Sequence, residues 1–177
     1  MIVNCVAKMC LNIFDCVLNP SSAVYLSTPV TTGDRFYRWV KDGGDPCAPS
    51  RPVINENTEF AYSTALHIRE TTHKYVINPA AFYQESWTQE MYLSFWVDVI
   101  KRFAAEVWLN EGWEFSNGCT YEYYAAVEAG IPCFTIDGQK IDIPRAIELI
   151  SVAIGKMTLV NMDTASIEST LKILRKM

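Results

Sequence analysis

Polar residues interrupt the first eighteen positions at Asn4, Lys8, Asn12 and Asp15, three or four apart, between apolar side chains. That period predicts an amphipathic helix with a narrow polar stripe, not the unbroken apolar segment of a secretion signal. Most of its circumference then needs cover, from the rest of the domain or from a second subunit. Asn19-Pro20-Ser21-Ser22 ends it, and the pattern changes to short apolar runs. Ala23–Ser27, Lys74–Ile77, Ala105–Leu109 and Pro132–Ile136 are predicted as strands, with Met157–Val160 as a candidate fifth. Helices are expected over 35–41 with Asp34 as cap, 58–71, 86–103 opened by a Ser86/Gln89 capping box, 119–129, 143–154 and 164–176. Trp87, Met91, Phe95, Val99 and Phe103 repeat every four residues and are assigned to the core. The Gly- and Pro-rich stretch 42–57 is expected to be one long loop, of the kind that serves as a lid or binding loop.

Short apolar strands alternating with amphipathic helices predict an α/β fold: a flavodoxin- or Rossmann-like doubly wound parallel sheet of four to five strands, order 2-1-3-4-5. An extra N-terminal helix (1–18) and the 42–57 insertion complete a single domain over 1–177. At 177 residues and 50% apolar composition the chain suffices for one core. With 15 basic against 20 acidic residues, a net charge of −5, it lacks the basic footprint of a protein that binds nucleic-acid polymers. An anionic ligand must therefore be small. The six cysteines (5, 10, 16, 47, 119, 133) form no C-x-x-C pair, which suggests neither a zinc site nor a redox motif. They are read as buried free thiols of a reducing cytoplasm, and neither metal nor cofactor is expected. No apolar run approaches the ~20 residues of a membrane span.

In such sheets ligands sit beyond the carboxyl ends of the strands, where strand order reverses. This directs attention to the loops Ser27–Arg35 and Asn110–Gly118. The second runs through Ser116-Asn117-Gly118-Cys119-Thr120-Tyr121-Glu122 into a helix, whose free N–H groups favour an anion. Glu122 falls in the expected first turn, where the dipole favours the ionised form by ~0.3–1 kcal/mol. A carboxylate held ionised there suits a nucleophile or a stabiliser of an oxocarbenium ion, although first-turn Glu also serves plain capping. Asp98 stands among Glu90, Ser94, Lys101 and Arg102, and by itself reads as a surface carboxylate paired at helical spacing. Tyr25, Trp113, Phe115, Tyr121 and Tyr123 are placed around the crevice and could stack on a base. His67 and His73 fall outside both loops.

Tyr25-Leu26-Ser27-Thr28-Pro29 with Gly33 and Arg35, Val76-Ile77-Asn78-Pro79, Asp98, Gly112-Trp113-Glu114-Phe115-Ser116-Asn117-Gly118-Cys119-Thr120-Tyr121-Glu122 and Gly130-Ile131-Pro132 together resemble the nucleoside 2-deoxyribosyltransferase superfamily. Within it the chain is most similar to the deoxyribosyltransferase-like domains and the nucleoside 5′-monophosphate N-glycosidases, over about residues 23–136. The resemblance implies Glu122 as nucleophile, Asp98 as the group that assists departure of the base, and Tyr121 beside them. It places Tyr25, Ser27, Thr31, Gly33, Arg35, Trp113, Ser116, Asn117 and Gly118 around the substrate. Ser stands at 116, where the transferases carry Asp and the monophosphate hydrolases Ser, which favours a phosphorylated substrate, since a hydroxyl donates to a dianion that a carboxylate repels. The first loop is less glycine-rich than in the hydrolases.

Three functions follow as expectations. The first is hydrolysis of a nucleoside 5′-monophosphate to free base and (deoxy)ribose 5-phosphate. The second is 2-deoxyribosyl transfer between bases, and the third is nucleotide binding without cleavage. Family members commonly complete their sites with a neighbouring subunit, so a homodimer or larger assembly is expected.

Overall fold

Strands β1 (Ala23–Ser27), β2 (Val76–Ile77), β3 (Ala104–Leu109) and β4 (Cys133–Thr135) pair in the order β2-β1-β3-β4, every pair parallel. The computed structural model describes residues 2–177; Met1 of the expected N-terminal helix lies outside the described residues, as does the side chain of Asn4 from its polar stripe. Among the described residues seven α-helices connect and cover the sheet: α1 (Ile2–Val17), α2 (Asp34–Lys41), α3 (Arg51–Thr72), α4 (Gln89–Phe103), α5 (Asn117–Glu128), α6 (Ile143–Leu159) and α7 (Ala165–Leu174). The fold is thus a Rossmann-like α/β sheet of four strands. The candidate fifth strand is the last turn of α6: Ala146, Ile150, Ala153 and Met157 are buried at spacings of four, three and four, so the helical period runs through it.

Alternation along β1 divides the two faces. Val24 and Leu26 meet Ile68 of α3, with Ala65, Val76 and Trp108 at the margin. Ala23 and Tyr25 point the other way, into the larger core with Val107, Leu109 and Cys133 and helices α4 to α7. α1 packs on that core through Val6, Ala7, Cys10, Leu11, Phe14 and Leu18, and Asp15 pairs with Arg102 of α4 at 2.7 Å. Its opposite side is open, with Met9, Ile13 and Val17 exposed.

Helix starts depart most from expectation. Only residues 42–50 of the expected 42–57 loop lack regular structure throughout, because Ser50 caps α3 by accepting from Val53 N and Pro52 sits in the first turn, where a missing N–H costs nothing. The cap of α4 is Thr88 rather than Ser86; its hydroxyl accepts from Met91 N. Gly33, not Asp34, occupies the N-cap position of α2, and Asp34 instead pairs with Arg38 one turn on. Met91 is exposed, unlike the other members of its fourfold repeat. Among the six free cysteines only Cys119 and Cys133 are buried, so thiol burial is not the general rule expected. Among the described residues no helix is long and apolar enough to cross a membrane.

Candidate functional site

The order of strands reverses between β1 and β3, and the loops that follow them meet there through two glycines. Gly33 has φ 95°, and a Cβ on it would lie 2.5 Å from Pro29 Cβ. Gly112 has φ 78°, and its Cβ would lie 2.7 Å from the Asp34 backbone nitrogen. Only residues without side chains permit this approach. Gly33, expected in a phosphate cradle, is buried where the first loop folds tightly against its own Pro29, with the Gly112 carbonyl oxygen of the second loop 3.5 Å from the position of its Cβ. Asn110, wholly buried at the end of β3, reinforces the seam by donating to Thr28 Oγ1 at 3.3 Å and Thr64 Oγ1 at 3.5 Å.

Beside this seam, on the side of the larger core, Tyr25, Ser27 and Glu122 come together. Residues two apart on a strand share a face, so Tyr25 and Ser27 both present hydroxyls to α5. Tyr25 Oη donates to Glu122 Oε1 at 2.7 Å, and Ser27 Oγ donates to Oε2 at 2.6 Å. Among the described residues no Lys or Arg pairs with this carboxylate. Glu122 is 7% exposed, and its burial pushes the pKa up to about 7 against the opposing pull of the Ser27 and Tyr25 hydrogen bonds. The Tyr25 phenol is held well above its ordinary value by burial and by Glu122, so it remains a donor. Cys119, packed into the same cluster, is pushed up to about 12 by burial and by Glu122 and stays a thiol. One group of the cluster therefore titrates near neutrality.

Helix α5 delivers Glu122, but not from its first turn. Ser116 caps the helix by accepting from Cys119 N at 3.4 Å, and α5 begins at Asn117, which puts Glu122 in the second turn, where the dipole has faded. Burial and hydroxyl donors, not the helix end, govern its charge. Ser116 itself is buried with its oxygen engaged as the cap, while Asn117 is exposed and Gly118 half-buried. At Gly118 a Cβ would meet nothing nearer than Ser116 Oγ at 4.0 Å, so neither backbone nor packing requires glycine there.

Other expected site residues are placed differently. Tyr25 is wholly buried with its ring against Trp96, so it holds Glu122 and offers no face to a base. Trp113 is core, its ring 5.2 Å from that of Tyr123, which corrects its assignment to base stacking. Tyr121 is half-buried on α5 with its ring edge-on to Tyr124. Thr31 is exposed in the first loop. Arg35 is half-buried, its guanidinium 4.3 Å from the centre of the Phe60 ring. Asp98 is exposed on α4 and makes no hydrogen bond to the Glu122 cluster among the described residues; Lys101 and Arg102, its expected partners, bond Glu128 and Asp15 instead.

Asn57, Thr64, Asn110 and Cys119 were missed from the sequence. A signal for the first two exists: once Ser50 is taken as the cap, Val53, Asn57, Ala61, Thr64 and Ile68 fall on one buried helical stripe. Two surface clefts, of about 390 Å³ beside Tyr123, Ile131 and Ile141 and about 240 Å³ beside Thr64, His67 and Asp137, do not include Glu122. Among the described residues no three His, Cys, Asp or Glu side chains are grouped to hold a metal ion. Comparison with protein-family models, with curated proteins and with solved structures finds no match to this chain.

Proposed function

We propose that the protein belongs to the nucleoside 2-deoxyribosyltransferase superfamily and hydrolyses the N-glycosidic bond of a nucleoside 5′-monophosphate. The observation that carries this reading is the buried Glu122 carboxylate held at both oxygens by Tyr25 and Ser27. Two neutral donors fix its orientation without neutralising it, and a pKa of about 7 keeps a nucleophilic fraction available at neutral pH.

In the proposed reaction a Glu122 oxygen attacks C1′ of the sugar as the C1′–N bond breaks. The bond pair leaves with the base, which takes up a proton. Water then adds at C1′, giving its proton back to the group that protonated the base and releasing Glu122 and (deoxy)ribose 5-phosphate, the course of a retaining glycosidase. Asp98 is the proposed proton source. It stands one turn before Lys101 on α4, whose ammonium meets Glu128 of α5 at 2.9 Å. The substrate enters beside Gly118, and Arg35 serves the phosphate. The active form is proposed to be a homodimer joined through the open side of α1.

Incubation with a panel of nucleoside monophosphates and nucleosides, with and without an acceptor base, tests the reading by chromatographic detection of free base. Base release from monophosphates that disappears in Glu122→Gln and falls in Asp98→Asn is expected. Base exchange exceeding hydrolysis would make the protein a transferase, and nucleotide binding without any release would make it a binding module.

A further inference from the structure

Outside the Glu122 cluster, one buried side chain gathers the loop that follows β1. Asn57 of α3, 2% exposed, donates through Nδ2 to the main-chain oxygens of Val30 at 3.0 Å and Thr32 at 3.1 Å. Its Oδ1 accepts from Arg35 Nη1 at 3.3 Å. A carboxamide has two N–H donors and one oxygen, so this loop takes up both donors and Arg35 the acceptor. Phe60, three residues along the same helix, lies under the same guanidinium, with Arg35 Cζ 4.3 Å from the ring centre.

The arrangement leaves Arg35 oriented but not neutralised. Among the described residues it pairs with no carboxylate. A guanidinium carries five N–H groups and stays charged at any working pH, so most of its donors remain for another acceptor. Height matters too. Thr64 meets Asn110 at the end of β3, and Asn57 lies seven residues earlier on α3, about 10 Å along the helix at ~1.5 Å per residue. The first turns of α3 therefore rise past the strand ends as a wall, and Asn57 is the point where the loop is fastened to it.

We propose that Asn57 and Phe60 are positioning residues: they fasten the loop after β1 to α3 and aim Arg35 at the phosphate, so that α3 sets the preference for a phosphorylated over an unphosphorylated nucleoside. This rests on the nucleotide reading of the site. Asparagine is the residue the geometry requires, because aspartate would turn a carboxylate towards two carbonyl oxygens and pair with the cation meant for the ligand.

The test compares Asn57→Asp, Asn57→Ala and Phe60→Leu with the wild type in three measurements. The ratio of kcat/KM for a nucleoside monophosphate to that for the same nucleoside is expected to fall about 10- to 100-fold in Asn57→Asp, carried by KM, the scale of one lost charge-assisted contact. Phe60→Leu, which keeps apolar bulk and removes the ring face, is expected to lower it about two- to fivefold. In Asn57→Ala, amide hydrogen exchange over residues 30–35 is expected to accelerate about tenfold or more. Equal losses on both substrates, or unchanged exchange in the loop, would overturn the proposal. If the wild type releases base from no nucleotide, the glycosidase reading fails by itself. Ribose 5-phosphate binding by calorimetry then decides the latch: about tenfold weakening in Asn57→Asp sustains it, and equal or undetectable binding in wild type and variant overturns it.

Discussion

Glu122 is a buried carboxylic acid whose hydrogen-bond partners among the described residues are a phenol and a hydroxyl, and its proton balance follows from that burial. If catalysis needs the ionised form, base release rises with pH through about 7, the point to which burial lifts the group. Ser27 contributes the larger of the two opposing hydrogen bonds, so Ser27→Ala is expected to move that rise to higher pH, read from a kcat/KM profile between pH 5 and 9. The same shift acts on stability. A native pKa raised above the unfolded value means that the folded chain holds more protons between the two, so this stabilising contribution is complete at low pH and is lost as pH rises through about 7. At about 1.4 kcal/mol per unit the loss is on the order of 3 kcal/mol. Glu122→Gln carries no titrating proton and is expected to flatten the dependence, melting higher than the wild type at pH 8 while releasing no base. Melting temperatures at pH 5 and 8 check it. All three residues were singled out in the sequence, Tyr25 and Ser27 as substrate contacts and Glu122 as the end of a motif, but their bonding to one another was not. Nor were their electrostatics legible, since a helix start misplaced by two residues credited the dipole with a charge state that burial controls.

Strands and helix types follow from hydrophobic period, whereas helix starts depend on single hydroxyls whose bonding has no period. Ser50, Thr88 and Ser116 each cap a helix, and Ser50 and Thr88 moved the boundary away from a Pro-rich stretch and from a neighbouring Ser that looked equally suitable. The error at α3 hid Asn57, which lay within a segment read as loop. Ser50→Ala is expected to cost about 1 kcal/mol in denaturant unfolding and to fray the turn that leads to Asn57. Glycines give a sharper contrast between elements. Gly112 combines φ 78° with a close approach to Asp34, so Gly112→Ala is expected to destabilise by roughly 1–3 kcal/mol. Gly118 sits in α5 with ordinary helical backbone and nothing nearer than 4.0 Å to a Cβ, so Gly118→Ala is expected to gain about 0.5–1 kcal/mol while raising KM for nucleotide by narrowing the proposed entry. Lower stability in Gly118→Ala would show that packing, not access, accounts for that glycine.

At the scale of the whole molecule, the sequence identified α1 as too apolar to stand in water, but not which side the domain would cover. Its inward side chains join the core, leaving Met9, Ile13 and Val17 at 59%, 60% and 61% exposure, one per turn along a straight line. That line is symmetric about Ile13. Two copies related by a twofold axis through it would set Ile13 against Ile13 and Met9 against Val17, an isologous contact that closes at two. Opposing it is a net charge of −5 on each chain, a repulsion that acts over about 10 Å at 0.1 M salt and is screened beyond that. Association of this kind strengthens with added salt, the reverse of what an ion-pair interface does, because screening relieves the charge while apolar burial is retained. Light scattering at micromolar concentration is expected to give a dimer whose dissociation constant falls between about 0.05 and 0.5 M sodium chloride, and Ile13→Asp, which sets like charges face to face at the axis, is expected to give a monomer. A wild-type monomer throughout that range, or a dimer unaffected by Ile13→Asp, removes α1 as the interface.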